Sequence, residues 1–275
     1  MQGFQKVVGH QEIITHLQNA ISMNKVSHAY LFGGESGSGK KMMASLFAMT
    51  LQCEKHGVEP CMECPSCKKA QSQNHPDIIY VKHEKPNTIS IDEIRGQLIN
   101  DVMIKPYSSP YKIYIIDEAQ KLTLQAQNAL LKTLEEPQAE NVFLLLCEDT
   151  SLLLPTIVSR CRSIKLHPWS DEVVLKALEK AGAPAEHRAE AAHLSGGSIG
   201  QALEMAADTA FWQRREEVMR DFFALTSRTP ILSVSNRWKD RKDQAEELLR
   251  DVEEMLRTLY LAHIGMLDAK HIAGY

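Results

Sequence analysis

The sequence predicts an α/β fold whose parallel sheet is buried on both faces and whose C-terminal part is helical. Three observations support this prediction. Short continuous apolar runs alternate with helical patterns, a glycine-rich loop separates the first such run from a helix, and no comparable run follows Pro168. Strands that are covered on both faces lack the polar alternation of half-exposed strands. Their alternation with helices is typical of parallel sheets.

The first elements along the chain are a helix, a strand and a second helix. Apolar residues at helical spacing predict a helix over 11–22. The apolar run 29–32 predicts a strand that leads into the glycine loop, and a helix is expected from about residue 40 to residue 52. This strand–loop–helix order is the context that a phosphate-binding loop requires.

Later strands are predicted at four more apolar runs, which are 78–81, 113–116, 142–147 and 164–166. Between them, a helical pattern over 124–135 ends before a proline. Beyond Pro168 only helical spacing is found, including an apolar stripe between residues 248 and 259. The sheet is therefore expected to end before the helical segments begin.

Length and composition limit the classes of protein to which the chain can belong. The 275 residues are enough for two or three compact units, and the content of 44% hydrophobic and 24% charged residues is ordinary for a globular chain. The net charge of −4 gives no basic surplus for strong sequence-independent nucleic-acid binding. Neither a signal peptide nor a membrane-spanning run is evident. We therefore expect a cytoplasmic protein without membrane attachment, whose six cysteines are reduced.

The glycine loop at 34–41 matches the phosphate-loop pattern G-x-x-x-x-G-K-[ST] at every position except the last. In such a loop the glycines let backbone N–H groups face phosphate oxygens, and the lysine reaches the outer phosphates. Nucleotide contacts are expected from Gly34, Gly37, Ser38, Gly39 and Lys40. A glycine-rich turn without a ligand is the alternative.

Lys41 occupies the position whose hydroxyl group normally ligates Mg²⁺, and an ammonium group cannot ligate a cation. The run 113–116 ends in Asp117 and Glu118, which in such folds assist the metal and polarise a water. Asp and Glu also suit a simple helix start, which is the alternative. With Lys41, Asp117 and Glu118 completing the site, we predict that ATP or ADP binds, that Mg²⁺ is held weakly or not at all, and that intrinsic hydrolysis is weak or absent.

Four cysteines, Cys53, Cys61, Cys64 and Cys67, form a closely spaced constellation. Four thiolates satisfy tetrahedral Zn²⁺ without an open position, so a structural zinc ion is predicted. An iron–sulfur cluster is the alternative, because Cys-x2-Cys-x2-Cys also occurs in such proteins. Cys147 and Cys161 each lie beside apolar sequence and are predicted to be core residues.

Several motifs together resemble the bacterial clamp loaders, the AAA+ proteins that open sliding clamps for DNA polymerase III. These motifs are 7–11, 28–34, 128–137 and 159–161, and the resemblance covers about residues 4 to 205. It adds Val8 to the expected nucleotide contacts and agrees with zinc at the cysteines. It implies an AAA+ domain at 1–167 with a zinc module at 53–67, a helical lid at 168–207 and a helical collar at 208–275. The collar is either short or truncated.

Hydrolysing gamma/tau subunits of this family carry serine or threonine after the loop lysine, a sensor threonine after the fourth strand and a sensor arginine in the lid. The corresponding positions here hold Lys41, the pair Cys147-Glu148, and Gly200. Because all three departures weaken hydrolysis, the chain is similar to delta-prime subunits. The resemblance implies gamma/tau and delta subunits as partners, and action on the sliding clamp and primed DNA through the complex.

Arg160, in the motif Ser159-Arg160-Cys161, is the candidate catalytic residue. The resemblance implies an arginine finger that acts in trans on ATP bound to a neighbouring gamma/tau subunit. Spacing alone equally allows a salt bridge to a carboxylate of its own domain. The resemblance implies that the chain is a subunit of the DNA polymerase III holoenzyme, which is a nucleotidyltransferase complex. This sequence itself shows no acidic constellation for two-metal polymerase chemistry outside the phosphate-loop site.

Two other functions stay open. The first is a hydrolysing gamma/tau-type ATPase, which ATP turnover by the isolated chain would reveal. The second is a zinc-dependent nucleic-acid-binding protein with a vestigial phosphate-loop fold. That function needs a basic surface with interleaved aromatic residues near the cysteines. Only Lys55-His56 and Lys68-Lys69 add charge there, and no aromatic residue intervenes.

Overall fold

The computed structural model describes residues 3–7, 9–137 and 140–226, together with scattered positions from Lys239 onward. Val8 lies outside the described residues, as does most of the predicted collar; of the apolar stripe at 248–259, Leu248 lies outside them. None of the described helices is long and apolar enough to cross a membrane. The chain divides into two compact units, Met1–Pro168 and Trp169–Tyr275. The separation of the second unit into a lid and a collar stays a prediction.

The first unit is built around a five-stranded parallel sheet. Its strands are β1 (Ala29–Gly33), β2 (Ile78–Tyr80), β3 (Lys112–Ile116), β4 (Asn141–Cys147) and β5 (Arg162–Lys165). The spatial order is β2-β3-β4-β1-β5, and each neighbouring pair is parallel. β1, β3 and β4 are buried along their whole length, as expected for strands covered on both faces. The predicted α/β fold with a buried parallel sheet is confirmed.

Helices cover both faces of this sheet. One face packs against α1 (Gln11–Ser22), α2 (Lys40–Leu51) and α3 (Pro65–Gln71), and its core includes Tyr30 and Phe32 of β1. The other face packs against α4 (Ile91–Ile94), α5 (Leu124–Glu135) and α6 (Pro155–Val158), and its core includes Leu31. Adjacent residues of β1 thus enter opposite cores, because side chains alternate along a strand.

Local sequence explains where several of these helices begin. Ser90 and Glu93 form a reciprocal capping box at the start of α4. The Thr123 side chain accepts a hydrogen bond from the N–H of Ala126 at the start of α5. The α2 helix begins after Gly39, whose left-handed backbone, with φ of +92°, is accessible chiefly to glycine. Short polar or glycine residues therefore set these helix starts.

The second unit is helical in its described part. It contains α7 (Asp171–Lys180), α8 (Arg188–Leu194), α9 (Ile199–Ala207) and α10 (Thr209–Thr226). Leu178, Ala191, Ala202 and Trp212 belong to one apolar cluster. The indole N–H of Trp212 donates to the Met205 carbonyl at 2.7 Å, so the polar end of this buried ring is satisfied.

Candidate functional site

The carboxyl edge of the parallel sheet gathers the residues of the predicted nucleotide site. The glycine loop follows β1, Asp117 and Glu118 follow β3, and Glu148 follows β4. The N–H of Gly34 donates to the Cys147 carbonyl at 3.2 Å, which ties the loop to the end of β4. In open α/β sheets ligands bind at this edge.

The backbone of the glycine loop fits a phosphate ligand. Gly37 and Gly39 have φ of +68° and +92°, in the left-handed region. Gly34 has φ of +155°, and a Cβ atom there would lie 2.8 Å from the Leu166 carbonyl oxygen. Among the described hydrogen bonds, the backbone amides of Gly37, Gly39 and Lys40 have no protein acceptor. They are thus open to phosphate oxygens at the start of α2.

The side chain of Lys40 is turned toward its own loop. Its Nζ atom donates to the carbonyl oxygens of Gly34 at 2.6 Å and Glu35 at 2.7 Å. The side chain is buried, and this burial lowers the pKa of Lys40, although the nearby carboxylates of Glu148 and Asp117 oppose the shift. A phosphate that recruits Lys40 must therefore compete with two backbone carbonyls.

The residue after the loop lysine makes the contact that bears most directly on a metal ion. Lys41 Nζ lies 3.0 Å from Asp117 Oδ2. The two residues that would normally share a magnesium ion in such a loop are thus joined by a direct salt bridge. An ammonium group at this position repels a cation and occupies an oxygen that would ligate it. The residues present therefore do not fit a bound Mg²⁺ ion.

Glu118 is held by basic side chains of its own unit. Its Oε1 atom lies 2.6 Å from Lys121 Nζ, and its Oε2 atom lies 3.4 Å from His83 Nε2. Its backbone has φ of +51°, an uncommon conformation for a residue with a side chain. Polarisation of a water by Glu118 would have to compete with these two contacts.

The positions that the resemblance assigns to the two sensor residues hold the pair Cys147-Glu148 and Gly200. The Cys147 thiol is buried and donates to the Asp149 carbonyl at 3.1 Å, and burial raises its pKa to about 11. It is therefore a neutral thiol at pH 7. Gly200 lies in the first turn of α9 in the second unit and has no side chain to offer. A cavity of about 490 Å³ at the ends of β4, β1 and β5 borders Gly34 and Glu148.

The four predicted metal ligands come together. The sulfur atoms of Cys53, Cys61, Cys64 and Cys67 all lie within 4.8 Å of one another. Cys64 caps α3 by accepting a hydrogen bond from the N–H of Cys67 at 3.3 Å, and Pro65 follows in the first turn. The cluster could hold a metal ion, and its four thiol donors fit a closed tetrahedral site.

Backbone amides prepare part of this cluster for the thiolate form. The N–H groups of Cys64 and Glu63 lower the pKa of Cys61 to about 6. Burial instead raises the pKa of Cys67, whose side chain has no exposed surface. A bound metal ion would lower the pKa of Cys67 again, because it binds the thiolate and favours deprotonation.

Arg160 contacts a carboxylate of its own unit. Its Nη2 atom lies 2.7 Å from Glu135 Oε1, and its Nη1 atom donates to the Thr156 carbonyl at 2.9 Å. Both charged side chains are partly exposed, with 35% of Arg160 and 47% of Glu135 accessible. None of the described contacts joins Arg160 to the glycine loop. Its role as a finger therefore stays a prediction, beside the salt bridge that spacing also allowed.

Sequence reasoning missed three residues that contact the predicted site residues. They are Glu135, His83 and Lys121, which pair with Arg160 or with Glu118. Lys121 could have been found, because it follows Glu118 by three residues on a turn. His83 lies near Glu118 because β2 and β3 are neighbours in the sheet, and Glu135 lies near Arg160 because α5 and α6 pack in the same core.

Comparison with known proteins identifies relatives of this chain. Residues 9–170 match the family described as "DNA polymerase III, delta subunit". The chain is 34% identical over 214 residues to DNA polymerase III subunit delta' of Bacillus subtilis, covering 77% of this chain and 64% of the relative. It is 39% identical over 180 residues to DNA polymerase III subunit tau of the same organism, covering 65% and 31%.

A DNA polymerase III gamma subunit-related protein from Thermotoga maritima superposes with a TM-score of 0.49 at 19% identity, over 88% of this chain and 76% of that one. In the two Bacillus subtilis relatives, the chain spans less than two thirds of their own length. Because the family match covers more than half of the 275 residues, the chain belongs to the DNA polymerase III, delta subunit family.

Proposed function

We propose that this chain is a subunit of the DNA polymerase III clamp loader in the delta-prime role. In that role it presents Arg160 to the ATP site of a neighbouring gamma/tau subunit and hydrolyses little or no ATP itself. Family membership and the similarity to a delta' subunit support the clamp-loader part of the proposal. Relatives named tau are comparably similar, so the choice of role depends on the residues of the site.

The salt bridge between Lys41 and Asp117 is the observation that favours the delta-prime role over the gamma/tau role. A hydrolysing site needs a metal ion, an oriented water and stabilised charge at the same time. Here a cationic side chain lies 3.0 Å from the carboxylate that would assist the metal. Glu118, the residue expected to polarise water, is paired with Lys121 and His83. Both observations favour a site without turnover over a gamma/tau-type ATPase.

Nucleotide binding without turnover remains part of the proposal. The open amides of Gly37, Gly39 and Lys40 suit the phosphates of ATP or ADP. Binding must displace Lys40 from the carbonyls of Gly34 and Glu35, so we expect weak affinity that does not depend on Mg²⁺. Magnesium would contribute little, because Lys41 already pairs with Asp117.

The proposed role of Arg160 requires it to leave Glu135. Partly exposed salt bridges contribute about 0–1 kcal/mol, whereas an arginine finger accelerates hydrolysis by about 10³-fold or more. The rate gain corresponds to about 4 kcal/mol of activation free energy, so the free energy of the salt bridge is small in comparison. The pairing with Glu135 therefore does not prevent Arg160 from acting on a neighbour.

A structural zinc ion is proposed for the cysteine cluster. Four sulfur donors without an open ligand position suit Zn²⁺ and exclude a catalytic water. The proposed partners are gamma/tau and delta subunits, with the sliding clamp and primed DNA engaged through the assembled complex.

Reconstitution of the clamp loader tests the proposal. Arg160→Ala should slow the clamp- and DNA-stimulated ATPase at the neighbouring site by about 10³-fold. The isolated wild-type chain should show no comparable turnover. An unchanged rate with Arg160→Ala would remove the finger role. Turnover by the isolated chain at a normal enzymatic rate would instead support a gamma/tau-type ATPase.

A further inference from the structure

The sheet face that α1 covers carries a second cavity, separate from the glycine loop. It has a volume of about 410 Å³, within the range of pockets that hold small organic ligands. It lies between α1, the connection from α1 to β1, and strands β1 and β5. The residues that define its chemistry are His16, Asn19, Met23, Lys25, Tyr30 and Arg162.

Sheet register places two of these residues side by side. Tyr30 of β1 lies directly opposite Arg162 of β5. Paired residues of parallel strands point to the same face, and Tyr30 belongs to the core on the α1 side. The charge of Arg162 opposes the rise that burial causes in the pKa of Tyr30, so the guanidinium group acts on this hydroxyl group.

The hydroxyl group of Tyr30 has an unused hydrogen. Only 1% of Tyr30 is exposed, and its oxygen accepts a hydrogen bond from the N–H of Ser27 at 2.9 Å. Among the described residues, no acceptor is found for the O–H hydrogen itself. Buried donors are nearly always paired, since leaving one unpaired is costly. The hydrogen at the wall of the cavity is therefore available to a ligand acceptor.

The cavity combines positive charge with an apolar wall. Lys25 and Arg162 are exposed, and neither forms a salt bridge within the part of the chain that the structure describes. None of the described residues that line the cavity is a carboxylate, while Ala20 and Met23 supply apolar surface. Such a site suits an anion that carries an apolar body. A guanidinium fork beside an ammonium and a hydroxyl donor suits phosphate oxygens in particular.

We propose that this cavity binds the phosphate group of a nucleotide, either free or within a single strand. Arg162, Lys25 and the Tyr30 hydroxyl group hold the phosphate, and Met23 and Ala20 contact the base or sugar. The site does not involve the glycine loop. It would let the chain contact a nucleotide even though its phosphate loop has lost the residues for hydrolysis.

Isothermal titration calorimetry on the full chain tests this site with three probes: dAMP, deoxyadenosine and a short single-stranded oligonucleotide. We expect dAMP to bind at least about tenfold more tightly than deoxyadenosine, since a charge-assisted hydrogen bond is worth about 1.5–3 kcal/mol. Arg162→Gln should weaken dAMP binding by about tenfold or more on the same ground. The variant removes an exposed side chain, so folding should be preserved.

Lys105→Gln is the matched control. It removes one positive charge from an exposed side chain that lines neither of the two cavities described above. We expect its affinity for dAMP to stay within about twofold of wild type, since a distant exposed charge is screened. Binding of dAMP must also survive Lys40→Ala, which disables the glycine loop.

The probes also separate the two sources of the phosphate. Tighter binding of the oligonucleotide than of dAMP indicates a strand, and the reverse indicates a free nucleotide. Either result supports the site if Arg162→Gln weakens the binding of that probe. The proposal is overturned if neither dAMP nor the oligonucleotide saturates the chain at about 10 mM, well above the millimolar range of weak sites. It is also overturned if deoxyadenosine binds as well as dAMP, or if Arg162→Gln and Lys105→Gln have equal effects.

Discussion

Lys41 Nζ lies 3.0 Å from Asp117 Oδ2, which links the first turn of α2 to the end of β3. Parallel strands bring both residues to the same edge of the sheet, although 75 positions of sequence separate them. The side chains are 59% and 36% exposed, so the pair contributes only about 0–1 kcal/mol to folding. Its effect is on ligand binding, because it places a positive charge where a metal ion would bind.

We predict that Lys41→Thr introduces magnesium dependence into nucleotide binding. The substitution frees Asp117 and restores a hydroxyl ligand at the helix start. ADP or ATP should bind about tenfold more tightly with Mg²⁺ than without it, since one recovered charge interaction is worth about 1–2 kcal/mol. Titration calorimetry with and without Mg²⁺ measures the difference. The wild-type chain should show little difference.

Lys41→Ala provides the control for this prediction. It removes the ammonium group without supplying a hydroxyl, so its magnesium dependence should fall between wild type and Lys41→Thr. Strong magnesium dependence in the wild-type chain would show that Lys41 yields to the metal. In that case the salt bridge with Asp117 would not explain a lack of hydrolysis.

Much of the fold could be predicted from local pattern. The runs at 29–32 and 142–147 became β1 (Ala29–Gly33) and β4 (Asn141–Cys147) because buried strands are apolar without interruption. The helix predicted over 124–135 matches α5 (Leu124–Glu135). The strand order could not be predicted, since it depends on which crossovers pack best over the whole sheet. The short helix α3 was also missed, because cysteine spacing dominates that segment.

The site was predictable where its residues follow one another in sequence. Spacing alone indicated the cysteine cluster, and the sulfur atoms do lie together. The identity of Lys41 indicated a lost metal ligand, but not that its side chain pairs with Asp117. The cavity lined by Tyr30 and Arg162 left no sequence signal, because it depends on the register of β1 against β5. Contacts between distant strands require the folded sheet.

We predict that Glu135→Gln preserves or raises the ATPase rate of the reconstituted complex. The substitution frees Arg160 from a partly exposed salt bridge, so any gain should stay within about fivefold, the factor that corresponds to 1 kcal/mol. Arg160→Lys should be slower than wild type by about tenfold or more, because lysine keeps the charge but loses the planar fork. Steady-state phosphate release measures both. A large loss with Glu135→Gln would show that the pair itself is needed.

We predict that Cys61→Ser removes the bound metal and lowers thermal stability. The other three sulfur atoms would lose a partner in a cluster that packs against the α2 face of the core. Metal content measured by mass spectrometry should fall from about one zinc per chain to much less, since structural sites need all four ligands. The melting temperature should fall by several degrees, and a strong chelator should destabilise wild type similarly.

Cys161→Ala is the control for the cysteine cluster. Cys161 lies outside it; it is partly buried against the core on the α5 side rather than fully inside it, and burial raises the pKa of its thiol to about 12. The variant should retain its metal even if it loses some stability through a small cavity. Iron instead of zinc in the wild-type protein would support the alternative of an iron–sulfur cluster. Loss of metal in both variants would contradict a site made by the four clustered cysteines.

A buried polar network connects the cysteine module to the sheet. His75 Nε2 lies 3.0 Å from the Ser66 hydroxyl oxygen, and His75 Nδ1 accepts a hydrogen bond from the N–H of Asp77 at 3.1 Å. The Ser66 hydroxyl donates to the Gln52 carbonyl. The Asp77 carboxylate accepts from the N–H of Ser108 at 2.9 Å. These bonds require a neutral His75 whose hydrogen is on Nε2.

We predict that this network makes stability fall as the pH decreases below about 6.5, the ordinary pKa of histidine. Burial lowers the pKa of His75 in the folded chain, although the Asp77 carboxylate opposes the shift. The unfolded chain therefore binds a proton first, and protons favour unfolding between the ordinary and the lowered pKa. His75→Gln keeps a donor toward Ser66 but cannot titrate, so it should flatten this slope in denaturant titrations from pH 5 to pH 8. The exposed His56→Gln should leave the slope unchanged, and equal slopes in all three proteins would refute the assignment to His75.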